Sequence, residues 1–183
     1  MLGVALMALV AGCTGGGPEP ADSATPPVVE VTPTPTPTPV VKPERPAAMD
    51  EPTTDGAIAA ATYFLQLHDY AFSTGDTKPL LAMSGESCDF CTYVNGQVQS
   101  MVSTGYSSIR GPVDILGADS AEIREDEWFR VRLSAHQGPL TAVAPDGTRT
   151  QTSEGGTVDF IFAISRISDD WRVEGVDVEE SQL

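Results

Sequence analysis

The sequence predicts an α+β fold: N-terminal helices packed on a bent antiparallel sheet, preceded by a disordered Pro/Thr tether. Three observations carry this. Apolar residues between residues 55 and 104 recur at helical spacing. After Gly105 the pattern changes to strict alternation, which is the period of half-buried strands. Residues 14–54 have no apolar periodicity and no aromatic residue, and Thr32 to Pro39 alternates Thr with Pro.

The chain begins with an apolar run, Met1 to Gly12, that stops at Cys13. The run is too short to span a ~30 Å hydrocarbon core, which takes ~20 helical residues. Its length and its small terminal residues are those of a signal-peptide core and cleavage site. No Lys or Arg precedes it, so the positive n-region consists only of the amino group of Met1, and a start further upstream is expected. The sequence Val10-Ala11-Gly12-Cys13 resembles the lipobox of bacterial lipoproteins. That resemblance implies a signal peptide over residues 1–12, lipidation of Cys13, and a location on the outer face of the cytoplasmic membrane. Two or three acyl chains make a stable anchor.

Residues 13–54 then read as a tether. They cannot bury enough apolar surface to offset the entropy of ordering. In polyproline II at ~3.1 Å per residue the 41 residues after Cys13 reach at most about 120 Å.

Residues 55–183 are expected to form a single domain of a size that supports its own core. Six of the 26 acidic residues and two of the ten basic ones precede Asp55, which leaves 20 against 8 in the domain. Lys78 is its one lysine. Such a surface repels a phosphate backbone and has no basic stripe, so nucleic acid is excluded as a partner. Docking to anionic lipid headgroups is disfavoured for the same reason. No calcium loop, glycine phosphate loop, nucleophile elbow or zinc-helix motif is present, and no cofactor or metal is expected.

Assigning Cys13 to lipid leaves Cys88 and Cys91 as an even pair. In an exported protein this favours a disulfide. A redox-active pair is the alternative, since helix N-termini lower thiol pKa. Zinc would need His68 and His136, neither of which lies at metal-ligand spacing.

A first helix over residues 55–74 takes Asp55 as N-cap and Gly75 as its stop, with a stripe of Ala60, Tyr63, Phe64, Leu67, Tyr70 and Ala71. A short helix covers Lys78 to Met83. A third spans Cys88 to Thr104, with Cys91, Val94, Val98, Met101 and Val102 facing the core. Strands follow at Pro112 to Gly117, extended by Ala121 to Arg124, and at Trp128 to His136. Residues 138–154 make a hairpin extension around Pro145-Asp146-Gly147. Thr157 to Ile167 reads as the most buried strand and Trp171 to Val178 as the closing one.

Three helices followed by a meander that ends in "DDWRVEGVDV" resemble the nuclear transport factor 2-like cone, with a cystatin-like sheet as near neighbour. The whole layout, including "FLQLHDYAFSTGD" and "SCDFC", resembles a family of uncharacterised actinobacterial lipoproteins. The cone implies a pocket between the sheet and the first helix. Its candidate acid–base residues are His68, Asp69 and His136. Tyr63, Tyr70, Trp128, Arg130 and Arg132 are candidate binding residues. His68 and Asp69 are neighbours about 100° apart on a helix, so no dyad between them is expected. Arg130 and Arg132 read as a solvated strand face with acidic cross-strand partners.

The functional expectation is a cell-surface binding domain contacting a small ligand, a wall component or another protein, with homodimerisation through the open sheet face as a property of the fold. The alternatives are a pocket enzyme of isomerase or dehydratase type, and thiol–disulfide exchange at Cys88 and Cys91.

Overall fold

The structure is a computed structural model that describes residues 40–181. Cys13, the signal peptide and the Pro/Thr repeat lie outside the described residues. Among the described residues no helix is long and apolar enough to cross a membrane.

Helix α1 runs Thr54–Thr74, α2 Lys78–Ala82 and α3 Asp89–Ser103. The N-cap of α1 is Thr53, not the expected Asp55: the Thr53 hydroxyl accepts the Gly56 amide at 3.1 Å. Asp55 falls in the first turn, where its charge still complements the helix dipole. Gly75 ends α1 in the left-handed conformation, φ 79°, which a β-carbon would disfavour. Cys88 caps α3, its sulfur accepting the Cys91 amide at 3.2 Å.

Seven strands follow: β1 Ser107–Arg110, β2 Val113–Arg124, β3 Trp128–Gln137, β4 Leu140–Val143, β5 Arg149–Ser153, β6 Gly156–Ile167 and β7 Asp170–Glu180. They form two antiparallel sheets, a larger one in the order β2-β3-β6-β7 and a smaller one in the order β1-β4-β5. Strand β1 was not expected, because its four residues, Ser-Ser-Ile-Arg, carry no clear alternation. The 138–154 hairpin does form, but it pairs with β1 as a second sheet instead of prolonging the first.

The bend between the two sheets is a line of glycines. The chain crosses it at Gly111-Pro112, at Gly138-Pro139 and at Gly155-Gly156. Gly111 N–H donates to the Pro139 carbonyl at 2.7 Å, and Gly138 N–H donates to the Pro112 carbonyl at 2.8 Å. A β-carbon on Gly138 would stand 2.7 Å from the Gly111 Cα, and one on Gly155 would stand 2.2 Å from the Gln137 carbonyl oxygen. The backbones approach too closely for any other residue.

The inner face of the larger sheet packs on α1. Phe129, Val131 and Leu133 of β3, and Phe162 and Ile164 of β6, have no exposed surface, and neither do Phe64 and Ala60 of α1. Phe64 and Phe162 meet edge to face at 6.0 Å, a preferred aromatic geometry. The expected core aromatics Tyr63, Phe64, Phe160 and Phe162 are all buried. Val102 is a correction: it lies half-exposed beyond the stripe of Cys91, Val94 and Val98. One edge of the larger sheet is covered. Val173 of β7 exchanges hydrogen bonds with Met83 and Gly85, at 2.7 and 2.8 Å. The other edge, β2, is bulged at Leu116 and Ile123.

The folded domain begins before the expected boundary at residue 55. Residues 43–53 form a strap across the start of α1. Met49 is buried (2 % exposed). Its carbonyl accepts the Trp171 indole N–H at 2.7 Å and an Arg45 guanidinium N–H at 2.9 Å. The Asp50 carbonyl accepts from Arg166 at 2.7 Å, and the Tyr63 hydroxyl donates to the Pro43 carbonyl at 3.4 Å. The segment looks polar in composition, but one methionine and its backbone carbonyls supply partners to groups that the sheet would otherwise leave unsatisfied.

Four variants test this description by urea denaturation. Met49→Ala is expected to destabilise the chain by about 2–5 kcal/mol, and Trp171→Phe, which removes one of the two donors to the Met49 carbonyl and leaves it the Arg45 guanidinium, by about 0.5–1.5 kcal/mol. Gly138→Ala is expected to cost at least about 1–3 kcal/mol through the clash at the bend. Gly156→Ala, where an added methyl meets nothing within 4 Å, is expected to be near neutral.

Candidate functional site

The bend turns the smaller sheet back over the C-terminal ends of α1 and α3, and a groove remains between them. On α3, Gln97, Ser100, Met101 and Thr104 recur at helical spacing and line it, one stripe around from the core positions Val94 and Val98. The last turn of α1 supplies Phe72. The smaller sheet supplies Ser108 and Arg110 from β1 and their cross-strand partners Ala142 and Leu140 from β4. The cavity here measures about 260 Å³. A second hollow of about 240 Å³ lies against the bend, between Gln137, Ser153 and Val158. Arg110 and Leu140 line both.

Arg110 is held from behind. Its Nε lies 3.4 Å from Asp69 Oδ1, and its guanidinium carbon stands 4.7 Å from the centre of the Phe72 ring, a cation–π contact. The same Asp69 oxygen accepts the His68 Nδ1–H at 3.1 Å. This corrects the expectation for the neighbouring pair. Their Cβ vectors do diverge, but the Asp69 side chain folds back along the helix and joins His68 to Arg110. The His68 ring is wedged between Phe72 and Phe90, 5.0 and 6.2 Å away, and does not line the groove.

The other expected residues are not gathered there. By strand alternation Trp128, Arg130, Arg132 and His136 lie on the outer face of β3, opposite the face that packs on α1. Arg132 Nε donates to Asp119 Oδ2 at 2.9 Å across to β2, with Asp159 Oδ2 3.8 Å from its Nη1. The Asp119 hydrogen bond and charge raise the Arg132 pKa further above its usual value. This is the cross-strand carboxylate pairing read from the sequence. His136 is exposed beside Thr157. Trp128 and Arg130 line a separate outer cleft of about 320 Å³ with Ile161. Tyr63 belongs to the core and the strap, and Tyr70 is half-buried. The expected cavity between sheet and first helix is filled by Phe64, Phe162 and Leu133.

Cys88 and Cys91 form a disulfide, both residues 1 % exposed. The pair sits under β7, with the Cys91 sulfur 4.0 Å from the Val173 carbonyl oxygen. Among the described residues no group of three or more potential metal ligands comes together.

Sequence reasoning missed Arg110 and the α3 stripe. Arg110 ends a short strand that the pattern does not announce, and Gln97, Ser100 and Thr104 read as an ordinary polar helix face.

Helices packed on an antiparallel sheet bent along a glycine line, with the cone interior filled and the groove displaced to its mouth, define a small α+β domain of cystatin-like, nuclear transport factor 2-like architecture. By sequence the chain belongs to a family of unknown function, DUF6318, whose profile matches residues 30–177. No curated protein matches it in sequence. Among solved structures, the intermembrane space region of the chloroplast protein ARC6 aligns with a TM-score of 0.55 at 9 % identity, covering 70 % of this chain and 98 % of that one. At this identity the likeness concerns the fold alone. A domain of unknown function with a cystatin-like fold from Nostoc punctiforme aligns with a TM-score of 0.44 at 12 % identity, covering 72 % and 81 %. An uncharacterised cystatin-like protein from Caulobacter vibrioides gives 0.42 at 9 %, covering 67 % and 88 %.

The burial of the disulfide predicts its reactivity. Under native conditions, reduction by dithiothreitol is expected to proceed no faster than opening of the α3–β7 contact, and the two thiols to become alkylatable together. Removing the bond with Cys88→Ala and Cys91→Ala is expected to cost about 2 kcal/mol, as for a short closed loop, measured by thermal and urea unfolding.

Proposed function

We propose that this protein is a lipid-anchored domain of the bacterial cell envelope that binds a ligand in the groove at the mouth of the cone without transforming it. One observation carries the reading of the domain: the groove and the hollow beside it are lined by no Asp, Glu, His, Lys or Cys. Arg110 is the charged group there. A guanidinium stays protonated at any physiological pH, so it can hold an anion or orient a dipole but cannot shuttle a proton. Hydroxyls such as Ser107 and Thr104 have no base beside them in the lining to activate them. The thiol-exchange alternative gains no support from a disulfide buried in the core, since exchange needs an accessible sulfur.

The sequence supports the address. Val10-Ala11-Gly12-Cys13 has the lipobox form, and the Pro/Thr segment after it suits a domain held away from a membrane.

The address is tested by Cys13→Ser, which is expected to move the protein from the membrane fraction into the medium; retention of the variant on the membrane contradicts it. The activity is tested by passing a small-molecule extract of the cell envelope over the purified chain and identifying what elutes on unfolding. The expected result is a bound molecule recovered chemically unchanged and lost when Ser108→Trp fills the groove. Recovery of a converted product would favour the isomerase or dehydratase reading.

A further inference from the structure

We propose that the groove takes a small amphipathic carboxylate, with its carboxylate on the outer edge of Arg110 and its apolar body along Phe72, Met101 and Leu140. This names the ligand class of the site in the preceding reading and rests on it.

Arg110 leaves part of its donor set open. A guanidinium carries five N–H donors in a planar fork. In Arg110 the Nε side faces Asp69, and one face of the plane rests on Phe72. No hydrogen bond or ion pair engages its two Nη atoms among the described residues, and the side chain is 19 % exposed. Arg132 and Arg166 are engaged differently. Arg132 is half-exposed and faces two carboxylates, Asp119 and Asp159. Arg166 spends its Nη2 on the Asp50 carbonyl and Asp169. Arg166 keeps an unpartnered buried Nε beside a separate hollow, and of these three Arg110 is the one that borders the groove and the hollow next to it. Contact with Asp69 fixes its plane in advance, so a ligand meets an oriented fork and less rotamer freedom is lost on binding.

The surroundings select the charge. The domain has 20 acidic residues, yet none lines either hollow that Arg110 borders. A cationic ligand would find no carboxylate there and would face the guanidinium. A planar carboxylate matches the fork with two parallel hydrogen bonds. Tyr106, Ser107 and Gln97 also line the groove and are side chains able to donate a hydrogen bond. The walls select the body. Phe72, Met101, Leu140 and Ala142 give an apolar trough, and Met101 adapts to irregular shapes. The size limits it: about 260 Å³ lies just under the range of ~300–1,000 Å³ typical of drug-sized ligands.

The test uses the full chain carrying Cys13→Ser and three probes of one shape: 4-phenylbutyrate, its primary amide 4-phenylbutanamide, and 4-phenylbutylamine. Binding is followed by amide chemical-shift titration, read at Ser107, Ser108, Arg110 and Met101. The carboxylate is expected to bind about tenfold or more tightly than the amide, and the amine least well. Arg110→Gln is expected to abolish the difference between acid and amide. Arg110→Lys, which keeps the charge and loses the fork, is expected to retain only part of it, and Arg132→Gln to leave it unchanged. A thermal melt of each variant confirms folding. Equal binding of acid, amide and amine at the groove overturns the carboxylate assignment while leaving a binding groove. Shifts for the acid that map to Arg130 and Arg132 on the outer face, or survive Arg110→Gln undiminished, also overturn it. Absence of any shift at the groove with all three probes overturns it too, and the envelope-extract experiment then decides separately whether the domain binds a ligand.

Discussion

The close approach of Gly111, Gly138 and Gly155 is the constraint on which the rest of the molecule depends. Three strands cross one transverse line, and at that line the backbones are too near for any β-carbon. The paired bonds from Gly111 to Pro139 and from Gly138 to Pro112 hold the crossing together. Prolines on the far side of two of the glycines cannot donate to a ladder, so regular pairing stops there. The consequence is one topology with two directions. The larger sheet lies along α1 and closes the core, and the smaller sheet turns over the ends of α1 and α3. Arg110 and Leu140 are the residues next to the line on their strands, which is why they border both hollows.

Much of the fold was legible in the chain, and the reasons are local. The stripe of α1, the glycine at its end, the alternation of Phe129, Val131, Leu133 and Ala135, and the turn at Asp169 each follow from periodicity or turn chemistry over a few residues. What escaped is non-local. Strand β1 exists because Arg110 and Ser108 find Leu140 and Ala142 across a bend, and nothing in Ser-Ser-Ile-Arg announces that pairing. The burial of Met49 depends on an indole 122 residues away. The same division holds at the site. His68 and Asp69 stood out as chemistry-bearing types, but their place in a relay to Arg110 depends on a strand that had no signal. Trp128, Arg130, Arg132 and His136 share one strand face, which the sequence offered both as a candidate pocket wall and, for Arg130 and Arg132, as a solvated face; the structure places them on the outer face, and alternation alone identifies two faces without saying which one is covered.

The electrostatics of the domain gain sense from this arrangement. An excess of carboxylates gives the domain a surface dominated by one sign of charge. Where they are absent, along the groove, the surface differs in kind: hydroxyls, an amide, apolar walls and a single guanidinium. The half-buried His68 and Asp69 serve this arrangement from behind the guanidinium. Asp69 shares one oxygen between the imidazole and the Arg110 Nε. That sharing fixes the orientation of a side chain otherwise rich in rotamers.

The strap before α1 determines where the domain can be cut free. Proteases act on chain that can be drawn out into an extended form, and exposed, weakly bonded segments meet that need. From Pro43 onward the backbone carbonyls are engaged by Tyr63, Arg45, Trp171 and Arg166, and Met49 is packed into the core. Cleavage within the strap therefore requires unfolding part of the domain, whereas Val40 and Val41 just before it stand exposed. A domain released by cleavage before the strap would keep the strap in place, its core sealed and its groove intact.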